Sequence, residues 1–146
     1  MIILRIMNWF AKAYPEPNER VFNTQVGVHI EEFTEGLREL ATPDSDDRLL
    51  HIINDLEAYA DDLKSGDATV SLPEENRVNF LKELSDVVVT SVAVAYQAGL
   101  DIESALEEVA ASNESKFDVD GNPIFDDNKK IIKGPHYWKP DLRPFV

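Results

Sequence analysis

The 146-residue sequence predicts an all-α fold, a four- to five-helix bundle followed by an irregular C-terminal tail. Apolar residues recur every three to four positions through most of residues 18–116, the spacing that places them on one face of a helix. Short polar or Pro- and Gly-containing segments separate these stretches, as in helical bundles. Residues 117–146 lack the periodicity and are rich in Pro, Gly and Asp. The length fits a single domain that buries a core without disulfides, and the chain has no cysteine.

The first two helices are separated by prolines. A short helix is predicted near Asn8–Tyr14, and the segment Pro15–Pro17 forces an extended connection after it. A strongly periodic second helix is predicted from Asn18 to Leu40. Its apolar stripe consists of Val26, Ile30, Phe33, Leu37 and Leu40.

The third to fifth helices are delimited by caps and glycines. The third covers residues 46–64 with a broad apolar face, and Ser45 or Asp46 is the expected N-cap. The fourth is predicted over Phe80–Gly99, and a proline-containing first turn precedes it. The fifth begins after Asp101, a further N-cap, and ends near residue 115.

The charge of the chain is unevenly distributed. The net charge is −14, with 8 basic and 23 acidic side chains in residues 1–115 but 6 basic and 5 acidic in residues 116–146. An acidic body argues against nucleic-acid binding, because duplex affinity comes largely from Lys and Arg at phosphates. The acidic body and the lysine-bearing tail could both contact one small phosphorylated ligand. The acidic cluster would bind it through metal ions, and the tail lysines would bind it directly. The tail lysines are Lys116, Lys129, Lys130, Lys133 and Lys139.

Neither a membrane span nor a signal-peptide core is visible in the sequence. The apolar run at residues 1–7 is short and is interrupted by Arg5. We therefore expect a soluble cytoplasmic protein with no membrane partner.

Two acidic clusters lie on the predicted helices. Glu31, Glu32 and Glu35 fall within about 100° of one another, opposite the apolar stripe of the second helix. Taken alone, that cluster is typical of a solvated face. Glu83 and Asp86 are different, because their helix is apolar on most sides and is predicted to be buried. A buried carboxylate needs a cation, a donor network or a proton.

If both acidic stripes face inward, four or five carboxylates meet in one pocket. Such a cluster requires bound cations or raised pKa values. Oxygen ligands without cysteine, and with three histidines in the chain, indicate a hard ion, Mg²⁺, with Mn²⁺ as a substitute. The sequence therefore predicts an ion that keeps open positions for water or phosphate oxygens.

The two acidic motifs, Glu-Glu-x-x-Glu at 31–35 and Glu-x-x-Asp at 83–86, resemble those of the MazG-like all-α nucleotide pyrophosphohydrolases. That family includes phosphoribosyl-ATP pyrophosphohydrolase and the dimeric dUTPases. The segment 108–116 is similar to the last core helix of the family, and the segment 133–141 is similar to its C-terminal tail. The resemblance covers residues 23–141 and implies the all-α NTP pyrophosphatase fold. The stretch between the motifs is long, so the insertion at residues 41–73 leaves the base specificity open.

The resemblance implies Mg²⁺-dependent hydrolysis of a nucleoside triphosphate, a dNTP or a noncanonical NTP, to the monophosphate and pyrophosphate by a homodimer or homotetramer. Glu31 would accept the proton of the attacking water. The implied metal ligands are Glu32, Glu35, Glu83 and Asp86. The implied nucleotide-binding residues are Gln25, Asn113, Lys116, Lys133 and Trp138, the last of which either stacks on a base or anchors the tail. The apolar surface of the fourth helix also favours an oligomer.

Two alternatives remain. One is phosphoribosyl-ATP cleavage within the same enzyme class. The other is a non-enzymatic acidic helical interaction module that occupies a basic partner. Such a module needs exposed acids, and it has no use for acids on a buried helix or for a lysine-bearing tail beside them.

Overall fold

The computed structural model describes residues 1–42, 47–127 and 130–146. These residues form five α-helices and two 3₁₀ turns, and no β-strand occurs among them. The predicted all-α class is confirmed. The helices are α1 (Ile2–Ala13), α2 (Glu19–Arg38), α3 (Arg48–Ser65), α4 (Arg77–Gln97) and α5 (Ile102–Glu114).

The chain divides into two compact units. The first unit comprises Met1–Pro15, Leu72–Asp126 and Ile131–Val146, and so contains α1, α4, α5 and most of the tail. The second unit comprises Glu16–Ser71 and Asp127–Lys130, and its helices are α2 and α3.

Several helix ends follow the local signals, but α1 and α4 begin earlier than predicted, α4 at Arg77 and not at Phe80. Asn18 caps α2, since its Oδ1 accepts a hydrogen bond from the Val21 amide at 2.9 Å. The Asp101 carboxylate likewise accepts from the Ser104 amide at 3.1 Å. The first helix begins at Ile2 and not near Asn8, because Arg5 interrupts the apolar run without breaking the helical period. The predicted caps Ser45 and Asp46, and the tail residue Lys129, lie outside the described residues.

In the second unit α2 packs on α3 through small and polar residues. Thr24, Gly27 and Thr34 of α2 are buried, and Ile53, Ala60 and Leu63 are the buried residues of α3. The predicted apolar stripe is not the buried face, since Phe33 is 58% exposed. Small side chains allow two helix axes to approach closely, so the face that offers them forms the contact.

In the first unit α1 packs on α5. Arg5 donates to both carboxylate oxygens of Glu114 at 2.7 Å and to Glu107 at 2.8 Å. The Trp9 indole donates to the carbonyl of Asn113 at 2.9 Å and stacks on Phe117, with ring centroids 5.4 Å apart.

The prediction that α4 is buried is wrong for the described chain. Ala95 is its one buried residue, and Val88 and Val94 are 53% and 69% exposed. A pattern that is apolar on most sides shows that a helix needs cover, but it does not identify the molecule that provides the cover. Valine is a weak helix former because its χ1 freedom is lost against the preceding turn. The helix propensity of its own residues therefore contributes little to the stability of α4.

The tail follows α5 back along the first unit. The predicted turn at residues 120–122 is present, with Gly121 at φ +75° and the Asp118 amide donating to the Asn122 carbonyl at 2.9 Å. An antiparallel bridge joins Phe125 and Ile131. Farther on, the Ser112 hydroxyl donates to the Trp138 carbonyl at 2.8 Å and ties the tail to α5. No helix in the described part of the chain has the length and hydropathy needed to cross a bilayer.

Candidate active site

Glu31 lies at the centre of an ionic cluster in the second unit. Its Oε1 is 2.7 Å from Nζ of Lys64, and its Oε2 is 3.5 Å from Nζ of Lys130. Lys64 also contacts the Asp61 carboxylate at 2.9 Å. The side chains of Lys64 and Glu31 are only 16% and 27% exposed. Glu31 is therefore not part of a solvated face, which is how the acidic cluster of this helix would be interpreted if taken alone.

Lys64 is charged in this cluster. Its partial burial by itself lowers the pKa of the ammonium group, but hydrogen bonds to Glu31 and Asp61 outweigh that effect, and the pKa lies above its ordinary value. The contact with Glu31 is therefore a half-buried ion pair at neutral pH. Hydrogen bonds with charged partners are shorter and stronger than neutral ones.

The packing of α2 on α3 places Lys64 beside Glu31. A Cβ on Gly27, one turn before Glu31, would lie 2.7 Å from the Ala60 carbonyl oxygen and 2.8 Å from Cγ of Lys64. Only glycine leaves room for the lysine stem at this crossing. Arg20 donates to the carbonyls of Leu63 and Lys64 and so holds the end of α3.

Glu32 and Glu35 are the exposed members of the same acidic motif. Within residues 1–42, 47–127 and 130–146, neither carboxylate has a hydrogen bond or an ion pair. They lie three residues apart, so both are on neighbouring positions of the helix surface. Gln25, two turns before Glu32, is half-buried in α2.

Glu83 and Asp86 form the second acidic pair, on α4 of the first unit. Both contact the ammonium of Lys82, Asp86 at 2.7 Å and Glu83 at 3.1 Å. Their side chains are 66% and 53% exposed, so the expected burial is not found. A cation does lie against these acids, as the sequence predicted, but it is the neighbouring lysine. The hydrogen bonds with Asp86 and Glu83 raise the pKa of Lys82.

The predicted nucleotide-binding residues of the tail and α5 also lie in the first unit. The Gly134 amide donates to the Lys116 carbonyl at 2.9 Å, and a Cβ on Gly134 would lie 2.5 Å from that oxygen. This close crossing brings Lys133 next to the backbone of Lys116. The ammonium of Lys133 is exposed and lies 4.8 Å from the centre of the Tyr137 ring.

Asn113 and Trp138 are positioned by main-chain contacts. The Asn113 carbonyl receives the Trp9 hydrogen bond, and the side chain is half-buried. Trp138 is held through its backbone by Ser112 and Ser115 of α5. Its indole is exposed, so the tail is anchored here while the ring stays accessible.

The predicted site residues are divided between the two units. Gln25, Glu31, Glu32 and Glu35 belong to the second unit, and the remaining predicted residues belong to the first. The meeting of the two acidic motifs stays a prediction. Across the described residues, no group of three or more Asp, Glu or His side chains is arranged to hold a metal ion.

The sequence did not predict Lys64 and Lys82 as partners of the acids, and it indicated Lys130 as a tail lysine without pairing it with Glu31. Gly27 was a usable signal for Lys64, since a glycine one turn before an acid inside a helix often marks a close helix contact. Lys82 follows from helical spacing, because it precedes Asp86 by four residues. Nothing in the sequence pairs Lys130 with Glu31, from which it is separated by 99 positions.

No family model, curated protein or solved structure matches this chain.

Proposed function

We propose that this chain is a Mg²⁺-dependent nucleotide pyrophosphohydrolase that converts a nucleoside triphosphate into the monophosphate and pyrophosphate. The observation that carries the proposal is the acidic turn of α2. There, one carboxylate, Glu31, is fixed by a lysine, while Glu32 and Glu35 beside it are exposed. A fixed carboxylate is suited to orient water, and exposed carboxylates are suited to bind a hydrated cation.

The donor chemistry fits Mg²⁺. Each acidic pair, Glu32 with Glu35 and Glu83 with Asp86, offers two carboxylates three residues apart. Mg²⁺ is usually bound by one or two carboxylates, with waters and substrate phosphates completing the octahedron. Two carboxylates per pair are therefore enough without a third protein ligand. When bound, the ion would neutralise charge on phosphate oxygens and acidify a bound water.

The protein residues would divide the remaining tasks. Glu31 would accept the proton of the attacking water. Lys116 and Lys133 would neutralise phosphate charge as point charges, and the Gly134 amide, next to Lys133, donates to the Lys116 carbonyl. Asn113 would hydrogen-bond the sugar or a phosphate, and the exposed indole of Trp138 would stack on the base. Gln25 is the proposed contact to the base edge.

A second copy of the chain is the proposed cover for α4. The segment Val87–Tyr96 contains no charged residue, although the whole chain carries a net charge of −14. Two such acidic chains can approach each other best through a charge-free apolar face, and apolar patches of this kind commonly mark protein contacts. We therefore propose that the chain forms a homodimer or a homotetramer.

Sedimentation of the purified chain tests the oligomer. We expect a dimer or tetramer for the native sequence and dissociation for Val88→Asp. Val119→Asp is the control, because Val119 is also an exposed valine but lies in the tail. A native chain that sediments as a monomer would contradict the proposed assembly.

A panel of canonical and noncanonical nucleotides, with phosphoribosyl-ATP included, tests the activity. Pyrophosphate release should require Mg²⁺ and stop with a chelator. Glu31→Gln should retain Mg²⁺ binding in calorimetry and lose turnover, whereas Glu83→Ala should lose the Mg²⁺ that binds at the pair of Glu83 and Asp86. Glu75→Ala, an exposed acid outside both motifs, should change neither. Absence of pyrophosphate release with every nucleotide would contradict the proposed function.

One observation favours the acidic interaction module as a second candidate. Glu83 and Asp86 are exposed, and a module that binds a basic partner requires exposed acids. Under this alternative the chain co-purifies with a basic protein in a salt-sensitive complex, since surface charge contacts weaken as ionic strength rises. It would also release no pyrophosphate in the nucleotide panel.

A further inference from the structure

Lys64 is a tightly constrained cation of the second unit. Its side chain is 16% exposed, and its ammonium contacts both Glu31 and Asp61. A lysine normally keeps its flexible stem and charge in solvent. Here the stem crosses α2 at Gly27, where any Cβ would collide with it. The contact with Glu31 is therefore built into the packing of the two helices.

The backbone beneath Lys64 is also held. Arg20 donates to the carbonyls of Leu63 and Lys64, and the side chain of Leu63 is fully buried. The contacts of the α3 backbone therefore help to fix where the Lys64 side chain begins, in addition to the contacts of its ammonium with carboxylates. A residue prepared in this way can fix the orientation of the group that it contacts.

Within the acidic motif of α2, Lys64 contacts the carboxylate of Glu31. Glu31 receives the ammonium of Lys64 at Oε1, whereas neither Glu32 nor Glu35 has a partner in the described part of the chain. The second oxygen of Glu31 is less tightly engaged, with Lys130 at 3.5 Å. One oxygen is therefore held closely by Lys64, and the other makes the longer contact with Lys130 on a side chain that is 27% exposed.

We propose that Lys64 is a positioning residue that holds Glu31 with Oε2 directed at the attacking water. This inference rests on the proposed hydrolase function. In the step concerned, the water oxygen forms a bond to phosphorus and the bond from phosphorus to the pyrophosphate oxygen breaks. The proton of the water passes to Oε2 of Glu31. A base that is itself oriented by a third group is a recurring arrangement in hydrolytic sites.

A purely structural role for Lys64 would be to clamp α2 onto α3. The two roles differ in what a substitution changes. Loss of a clamp alters stability and leaves the turnover of the folded protein intact, whereas loss of a positioning contact lowers kcat in protein that is still folded.

Steady-state kinetics on Lys64→Met in the full chain, with a nucleotide that the native protein hydrolyses, tests the proposal. A misplaced catalytic group commonly costs up to about 100-fold in rate, so we expect kcat to fall by about 10- to 100-fold and KM to stay within about threefold. Lys64→Arg, which keeps charge and donors, should recover part of kcat. Asp55→Asn is the matched control, because Asp55 is an exposed acid of the same helix outside the cluster, and its kcat should stay near the native value.

Calorimetry with Mg²⁺ alone supplies a readout independent of turnover. Lys64→Met should bind Mg²⁺ as the native chain does, since Lys64 contacts Glu31 and neither Glu32 nor Glu35. Loss of Mg²⁺ binding together with kcat would overturn the positioning role. If Lys64→Met fails to fold, Lys64→Gln replaces it, with the same loss of kcat expected.

The outcomes separate this inference from the proposed function. A native protein that hydrolyses no nucleotide contradicts both. A native protein that is active, with an unchanged kcat in folded Lys64→Met or Lys64→Gln, contradicts the role of Lys64 alone.

Discussion

Two alanine substitutions within α2 separate helix propensity from helix packing. Gly27 lies where a Cβ would be 2.7 Å from the Ala60 carbonyl oxygen and 2.8 Å from Cγ of Lys64, so α2 and α3 must move apart to accept Gly27→Ala. Gly36, in the same helix, has open space around the position of a Cβ. Alanine gains about 0.5–1 kcal/mol over glycine inside a helix, and that gain applies to both variants. Overpacking costs about 1–3 kcal/mol and applies to Gly27→Ala alone.

We therefore expect Gly36→Ala to raise the free energy of unfolding by about 0.5–1 kcal/mol. In Gly27→Ala it should lie about 1–3 kcal/mol below that of Gly36→Ala, the difference being the steric cost. Urea unfolding followed by the far-ultraviolet circular dichroism of the helices measures both. The comparison is internal to one helix of the second unit. A Gly27→Ala variant as stable as Gly36→Ala would refute the close approach of α2 and α3 at this point.

Two further predictions concern the helix ends and pH. Asn18→Ala removes the oxygen that accepts from the Val21 amide and should lower the free energy of unfolding by about 1 kcal/mol, measured by the same urea titration; no change would show that α2 is not capped there. The hydrogen bond from Arg5 lowers the pKa of Glu114, so the unfolded state binds more protons than the folded one and stability is lost as pH falls below about 4.3. Glu114→Gln should show a shallower loss between pH 5 and pH 3 (roughly the range where such a carboxylate protonates), and an unchanged slope would contradict the contact.

The features that were predictable from sequence are the local ones. Asn18 and Asp101 identify two helix starts because a cap needs only a side-chain acceptor near the first amides of a helix. Gly99 ends α4 and Gly121 forms the tail turn, both with positive φ, because glycine adopts that conformation at little cost. These preferences depend on a few adjacent residues.

The contact faces were not predictable in the same way. The apolar stripe through Phe33 was the expected core side of α2, but the buried side is the one that carries Thr24, Gly27 and Thr34. Apolar periodicity reports which face gains from burial. The face that makes the contact also depends on how closely the partner helix can approach, and that distance is a property of both helices. The same limit applies to α4. Its apolar pattern indicates that the helix gains from burial, but it does not identify the surface that buries it.

The two acidic motifs differ in how firmly a lysine holds them, and that difference fits the proposed division of labour. Lys82 reaches Glu83 and Asp86 from the same exposed helix, where ion pairs are weak and easily exchanged. Under the proposed function, a divalent cation would replace Lys82 at those carboxylates, and no contact between helices would have to change for the exchange. Lys64 reaches Glu31 across a helix contact that a glycine and an arginine maintain, so displacing it would require the second unit to rearrange. Carboxylates with an exchangeable counter-ion are suited to be metal ligands, and a carboxylate with a fixed one is suited to act on a water molecule.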